Sequence, residues 1–111
     1  MTYDFGDVLV VEFPFTDGSR SKRRPAVVVS SAGYNGSSLD VILLAVTSQI
    51  GPSGEELEAV LVHWQAAGLA KPSALKPVVF TLERSMIRQR IGVLESADVL
   101  QLRGLLSQIL G

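Results

Sequence analysis

The sequence contains no cysteine and one histidine, His63. The lack of cysteine excludes disulfides, thiolate chemistry and cysteine-ligated zinc. A single histidine cannot build a multi-histidine metal site, so His63 is expected to be an ordinary residue at the end of a strand. We therefore expect no metal site and no cofactor.

Long hydrophobic runs are also missing. Residues 41–46 are apolar, but such a run is far too short to span a membrane. The first residues, Met-Thr-Tyr-Asp-Phe-Gly-Asp, have neither the basic nor the apolar segment of a signal peptide. These features predict a soluble, cytoplasmic protein without a membrane partner.

The 111 residues are 47 % hydrophobic and 19 % charged, which predicts one globular domain over residues 1–111. A net charge of -1 does not by itself indicate a nucleic-acid-binding protein. The basic residues are nevertheless concentrated in residues 20–24 and 84–90. Such clusters can form a local basic patch that binds a polyanion in spite of a neutral total charge.

Runs of β-branched and apolar residues between turn signals predict six strands, at residues 8–13, 25–29, 40–46, 57–62, 75–82 and 86–93. A polar loop is predicted at 15–24, a turn at 34–38 and a short helical turn at 63–69 that Gly68 ends. Pro77 restricts its strand to an edge of the sheet, or to the start of a strand.

From Ser96 onward the pattern becomes helical. Ser96 is the predicted N-cap and Asp98 suits the first turn. The apolar stripe of this helix comprises Val99, Leu102, Leu105, Leu106, Ile109 and Leu110. Short strands followed by one terminal helix predict a mainly β fold, a small barrel.

The stretch from Arg20 to Ser30 joins a basic loop to a buried strand. Arg24 is predicted at the junction, where the following proline favours extended backbone and so gives the side chain a defined direction. The alternative is a solvated basic loop that only keeps the protein soluble.

Thr47 ends the third predicted strand, and neighbouring strands in a small sheet can bring it close to Arg24. A guanidinium and a hydroxyl at one place are suited to a phosphodiester, because both donate hydrogen bonds to its oxygens. In RNA the substrate's own 2′-OH is the nucleophile, so such a site requires neither a metal nor a protein nucleophile.

The chain resembles the MazF/PemK family of toxin endoribonucleases over nearly its whole length. The matching segments are Gly6-Asp7-Val8, Arg24-Pro25-Ala26, residues 46–50, residues 82–87 and the C-terminal helix. The resemblance implies an SH3-like β-barrel, a homodimer, and metal-independent, sequence-specific cleavage of single-stranded RNA. It also implies a type II toxin–antitoxin pair in which a cognate antitoxin neutralises the toxin.

By position, the resemblance assigns catalysis to Arg24, as stabiliser of the phosphorane, and to Thr47, which holds the scissile phosphate. The residues expected to contact RNA are Arg20, Lys22, Arg23, Ser48, Gln49 and Arg84. The general base is not identified, because Phe80 and Leu82 occupy the positions of an arginine and an aspartate in some relatives, and the first loop has no histidine. Asp17 and Glu83 are the candidates.

Two other functions remain open for the same barrel. One is a CcdB-like poison of DNA gyrase, although the chain lacks the aromatic C-terminal tail on which that activity depends. The other is a degenerate module that binds RNA or protein without catalysis.

Overall fold

The computed structural model describes residues 2–13, 22–50 and 58–111. Its strands are β1 (Asp7–Phe13), β2 (Lys22–Val28), β3 (Asp40–Thr47), β4 (Ala59–Val60), β5 (Ala74–Glu83) and β6 (Ile87–Val93). Its helices are α1 (Ala32–Ser37) and α2 (Ser96–Leu110), and a single 3₁₀ turn (Arg84–Met86) precedes β6. The mainly β class with a C-terminal helix is thereby confirmed.

The strands form one antiparallel sheet in the order β4-β5-β3-β2-β1-β6. Within the described ranges, the edge strands β4 and β6 do not pair with each other, so the sheet is not a closed barrel. It is strongly curved all the same. The rings of Phe13 on β1 and Phe80 on β5 stack with their centroids 5.0 Å apart, although β2 and β3 lie between those strands in the sheet.

Side chains alternate between the two faces of a strand, and both faces of this sheet are apolar. We call the face covered by α2 the outer face. Its cluster includes Val8, Val27, Leu44, Val46 and Leu75, packed with Leu102 and Leu105 of α2. The opposite, concave side is the inner face, and its cluster comprises Tyr3, Leu9, Val11, Ala26, Val28, Val41, Leu43 and Leu82.

Strand β2 begins at Lys22, so the predicted boundary at residue 25 was wrong. The pairing with β1 runs from Phe13↔Lys22 to Val8↔Val27, whereas pairing with β3 begins only at Ala26. The missing N–H of Pro25 therefore falls where β2 has a neighbour on one side only. Lys22–Arg24 thus belong to a strand, and the rest of the predicted loop lies outside the described residues.

Strand β5 is an inner strand, so the prediction from Pro77 was also wrong. The proline is accommodated by an irregularity: Leu44 pairs with Val79 and Val46 with Leu75, which leaves Ala45 opposite residues 76–78. Strand β4 pairs only with Ala74 and Leu75. Pro77 accordingly lies where neither ladder requires its N–H.

The predicted turn at residues 34–38 is the helix α1 instead. The Oγ of Ser31 caps it by accepting a hydrogen bond from the Tyr34 N–H at 3.2 Å. Asn35 is buried, donates from its side chain to the carbonyls of Tyr3 (2.8 Å) and Ser30 (3.2 Å), and accepts from the Ser30 hydroxyl. These hydrogen bonds hold the side chain of Asn35 inside the fold. The sequence alone predicts an exposed turn at this position.

Strand β4 is shorter than predicted, and Leu57 lies outside the described residues. The chain leaves the sheet because the backbone N–H groups of Val62 and His63 donate to the carboxylate of Asp98, at 2.8 and 2.9 Å. Asp98 is fully buried in the first turn of α2. The helix is preceded by Glu95 as N-cap, not Ser96, because the carbonyl of Glu95 already accepts the first helical hydrogen bonds.

The predicted turn before Gly68 is confirmed, with Gly68 at a φ of +84°. This turn packs backbone to backbone on β6. A Cβ at Gly68 would lie 2.0 Å from the carbonyl oxygen of Ile91, and one at Gly92 would lie 2.3 Å from that of Ala67. Both positions therefore require glycine.

In α2, Leu102 and Leu105 are buried, and Val99, Leu106 and Ile109 pack against the outer cluster. Leu110 is 68 % exposed, so the predicted apolar stripe ends one residue early. No helix in the described part of the chain combines the length and hydropathy needed to cross a membrane.

Replacing Asp98 by alanine should lower the free energy of unfolding by about 3 kcal/mol, because two backbone N–H groups lose a charged acceptor. Urea denaturation measures this change. The matched control is Glu95→Ala, since Glu95 is exposed and its side chain makes no capping hydrogen bond. Equal stability of the two variants would contradict the anchoring role of Asp98.

Candidate active site

A groove with a volume of about 280 Å³ lies at one end of the inner face, where the apolar cluster stops. It is formed at the end of β1, the start of β2, the end of β3 and residues 76–80 of β5. Its described lining consists of Phe13, Arg24, Pro25, Ala45, Val46, Thr47, Gln49, Lys76 and Phe80.

Strand alternation explains why Arg24 and Thr47 meet there. Arg24 is two residues before the inner-face residue Ala26, and Thr47 is four residues after the inner-face residue Leu43. Each side chain thus faces the inner side. The structure brings the two residues together in one groove, as their positions at strand ends predict, while their catalytic roles stay predictions.

Thr47 is held by a local hydrogen bond, in which its Oγ1 accepts from the Gln49 N–H at 3.0 Å. That bond uses the oxygen as an acceptor, so the hydroxyl hydrogen is left to donate to a ligand. Gln49 lines the same groove. Ser48 is exposed and is not among the described residues of the lining.

The guanidinium of Arg24 has no hydrogen-bond or ion-pair partner within residues 2–13, 22–50 and 58–111. Its neighbour Arg23 differs, because its Nε lies 3.1 Å from Oε1 of Glu12. That same oxygen accepts from Arg88 at 3.2 Å, and Arg90 pairs with Asp7 at 2.9 Å. Arg24 therefore keeps its forked set of donors for an anion in the groove.

The predicted RNA-binding residues of the basic stretch do not share one face. Lys22 is exposed, opposite Phe13 in the β1–β2 register, on the same side of β2 as Arg24. Arg23 lies on the other side of the strand, where it pairs with Glu12. Arg20 lies outside the described residues.

Arg84 is not in the described lining of the groove. It belongs to the 3₁₀ turn after β5, its Nη2 donates to the backbone carbonyl of Asn35, and its guanidinium lies 5.4 Å from the centroid of the Tyr3 ring. These contacts support helix α1. The expected contact between Arg84 and RNA stays a prediction, and the position of Arg84 outside the described groove lining does not favour it.

Glu83 is also far from the groove. It pairs with Asp40 at the start of β3, whereas Thr47 ends that strand. At about 3.3 Å per residue, the two ends are separated by on the order of 20 Å. Glu83 is therefore excluded as the general base for a phosphate at Thr47, and Asp17 lies outside the described residues.

Lys76, Phe13 and Phe80 line the groove and are among the residues that sequence reasoning did not assign to the site. The two aromatic rings are stacked, with 25° between their planes. A signal for Lys76 was present, since it is the one charged residue in the otherwise apolar run 74–80. In the described ranges, no three His, Cys, Asp or Glu side chains come together as metal ligands do.

The fold has close counterparts among solved structures. MazF from Deinococcus radiodurans (Form-I) is 26 % identical, with a TM-score of 0.78 over 100 % of this chain and 98 % of that one. A MazE-MazF structure (Form-III) from the same organism is 26 % identical, with a TM-score of 0.79 and the same coverage.

A more distant structure shows the same fold. It is an endoribonuclease in complex with its cognate antitoxin from Mycobacterial species, 16 % identical, with a TM-score of 0.69 over 99 % of this chain and 94 % of that one. No curated protein matches the sequence.

The model of the PemK-like, MazF-like toxin family of type II toxin-antitoxin systems matches residues 4–110, nearly the whole sequence. This match agrees with the family resemblance carried by the Arg24-Pro25 step and by residues 46–50. The chain therefore belongs to the PemK-like, MazF-like toxin family of type II toxin-antitoxin systems.

Proposed function

We propose that this protein is a metal-independent endoribonuclease that cleaves single-stranded RNA at particular sequences and acts as the toxin of a toxin–antitoxin pair in the cytoplasm. The observation that carries the proposal is the presence of Arg24 and Thr47 in one groove, each with hydrogen-bond donors available. The family membership and the endoribonuclease of Mycobacterial species with the same fold support it.

The proposed reaction is an internal transesterification. The 2′-OH of one nucleotide gives up its proton to solvent and its oxygen bonds to the adjacent phosphorus. The bond from phosphorus to the 5′-oxygen breaks, that oxygen gains a proton, and a 2′,3′-cyclic phosphate remains. The phosphorane formed on the way carries more negative charge than the phosphodiester, so donors that favour it accelerate the step.

Arg24 is assigned to the non-bridging oxygens of that phosphorane, because a guanidinium donates two parallel hydrogen bonds to a phosphate. Thr47 is assigned to hold the scissile phosphate through its hydroxyl hydrogen. Both donors are positioned on strands, which supports the precision that such a site needs. Ser48 and Gln49 follow Thr47 directly and are assigned to the neighbouring nucleotides.

Replacing Arg24 by alanine should slow RNA cleavage by about 10³-fold or more, because one charged donor to the transition state is lost. The measurement is cleavage of a long single-stranded RNA in excess chelator, with products resolved as discrete fragments. The fold should be kept, since Arg24 is exposed on β2.

The matched control is Lys71→Ala, which removes one positive charge from an exposed position outside the described groove lining. It should cleave like the wild type. An RNA with 2′-deoxy nucleotides at the cut positions should resist the wild-type protein. If the folded wild type does not cleave RNA, the protein is a non-catalytic barrel, either a CcdB-like gyrase poison or a degenerate binding module.

Lys22 and Arg23 offer a direct test of which side of β2 contacts RNA. Lys22→Ala should reduce the slope of log affinity against log salt by about 0.7, the value for one phosphate contact on a single strand. Arg23→Ala should change the slope by less than half of that, because its side chain pairs with Glu12 on the other side of the strand. A larger effect of Arg23→Ala would contradict the assignment.

A homodimer and a cognate antitoxin are the proposed partners. The structures of a MazE-MazF assembly and of a Mycobacterial endoribonuclease with its cognate antitoxin support the second partner. Sedimentation equilibrium should give twice the 11.9 kDa of the chain. A monomer at micromolar concentration would contradict the dimer without affecting the proposed chemistry.

A further inference from the structure

Lys76 reaches the groove from an irregular part of β5. Between the pairs Val46↔Leu75 and Leu44↔Val79, a single residue of β3 faces three residues of β5. Such bulges bend a strand, redirect side chains and recur beside active sites. Lys76 follows the outer-face residue Leu75, so it faces the inner side, where it lines the groove together with Arg24 and Thr47.

The surroundings of Lys76 favour an anion. Its side chain is half-buried, whereas the other two lysines, Lys22 and Lys71, are exposed. The described residues offer its ammonium no hydrogen-bond or ion-pair partner. An ammonium that is partly withdrawn from water and has no counter-ion among the described residues is stabilised when an anion binds beside it.

The charge of the lining matches a transition state better than it matches the substrate. A phosphodiester carries one negative charge, whereas the phosphorane formed after loss of the 2′-OH proton carries two. Among the described lining residues, the charged ones are Arg24 and Lys76, and both are cations. Arg24 and Lys76 line the same groove, which has a volume of about 280 Å³, so a phosphate bound there meets two cations and no carboxylate among the described lining residues.

We infer that Lys76 is a further catalytic residue, whose ammonium stabilises the second negative charge that develops on the phosphorane. The inference rests on the proposed ribonuclease function. Thr47 holds the phosphate in the ground state, whereas the contributions of Arg24 and Lys76 grow as the second negative charge develops. Lys76 therefore acts on the rate of the chemical step more than on the affinity for RNA.

The test compares Lys76→Met with the wild type under single-turnover conditions at saturating enzyme. Methionine keeps the length and packing of the side chain and removes the charge. The cleavage rate should fall by about 10²-fold. Affinity for an uncleavable RNA with 2′-deoxy nucleotides at the cut positions should fall by less than about fivefold, since ground-state binding is largely retained.

Two further variants control the comparison. Lys76→Arg restores the charge and should recover the rate to within about tenfold of the wild type. Lys71→Met removes a charge outside the described lining and should leave both rate and affinity unchanged. Thermal unfolding establishes whether each variant is folded. If Lys76→Met is not folded, Lys76→Gln takes its place in the comparison.

Three outcomes would overturn the inference. A charge-removed variant at position 76 that cleaves at the wild-type rate excludes Lys76 from catalysis while the ribonuclease proposal stands. A loss of affinity with an unchanged rate at saturation reduces Lys76 to a ground-state contact. A folded wild type that cleaves no RNA overturns the ribonuclease proposal itself, and the role of Lys76 with it.

Discussion

Burial of both faces of one sheet is the constraint on which the rest of this structure depends. Because side chains alternate along a strand, each strand must supply apolar residues to the outer and the inner cluster at the same time. A charged side chain can face inward only where the inner cluster ends and water enters. The groove is that end, and strands fix the directions of Arg24, Thr47 and Lys76, which line it.

The strands could be predicted from runs of β-branched and apolar residues between turn signals, and the meeting of Arg24 with Thr47 from the adjacency of strand ends in a small sheet. Other features depend on distant contacts. Asn35 resembles a turn residue, but its amide binds the carbonyl of Tyr3, 32 residues away. Lys76 enters the groove through a shift in pairing register, which a single strand's sequence does not reveal.

The basic residues differ in whether the fold gives them a carboxylate partner. Glu12 accepts from both Arg23 and Arg88, and Asp7 pairs with Arg90, so two carboxylates offset part of the charge of these three arginines. Exposed pairs such as Arg23–Glu12 contribute little stability, with a median of about 0–1 kcal/mol, whereas Asp7 is buried beside Arg90. In the groove, by contrast, Arg24 and Lys76 have no carboxylate partner among the described residues, so positive charge is concentrated there in spite of the net charge of -1.

The position of β1 in the sheet has a consequence for the order in which the protein is built. Its neighbour on one side is β6, and Asp7 pairs with Val93. Such long-range pairing closes nearly the whole chain into a loop, which slows folding. On the ribosome, the first strand must wait for the last before the sheet is complete. A nascent chain that lacks residues 87–93 therefore leaves one edge of β1 unpaired, and the sheet is completed only after β6 has been synthesised.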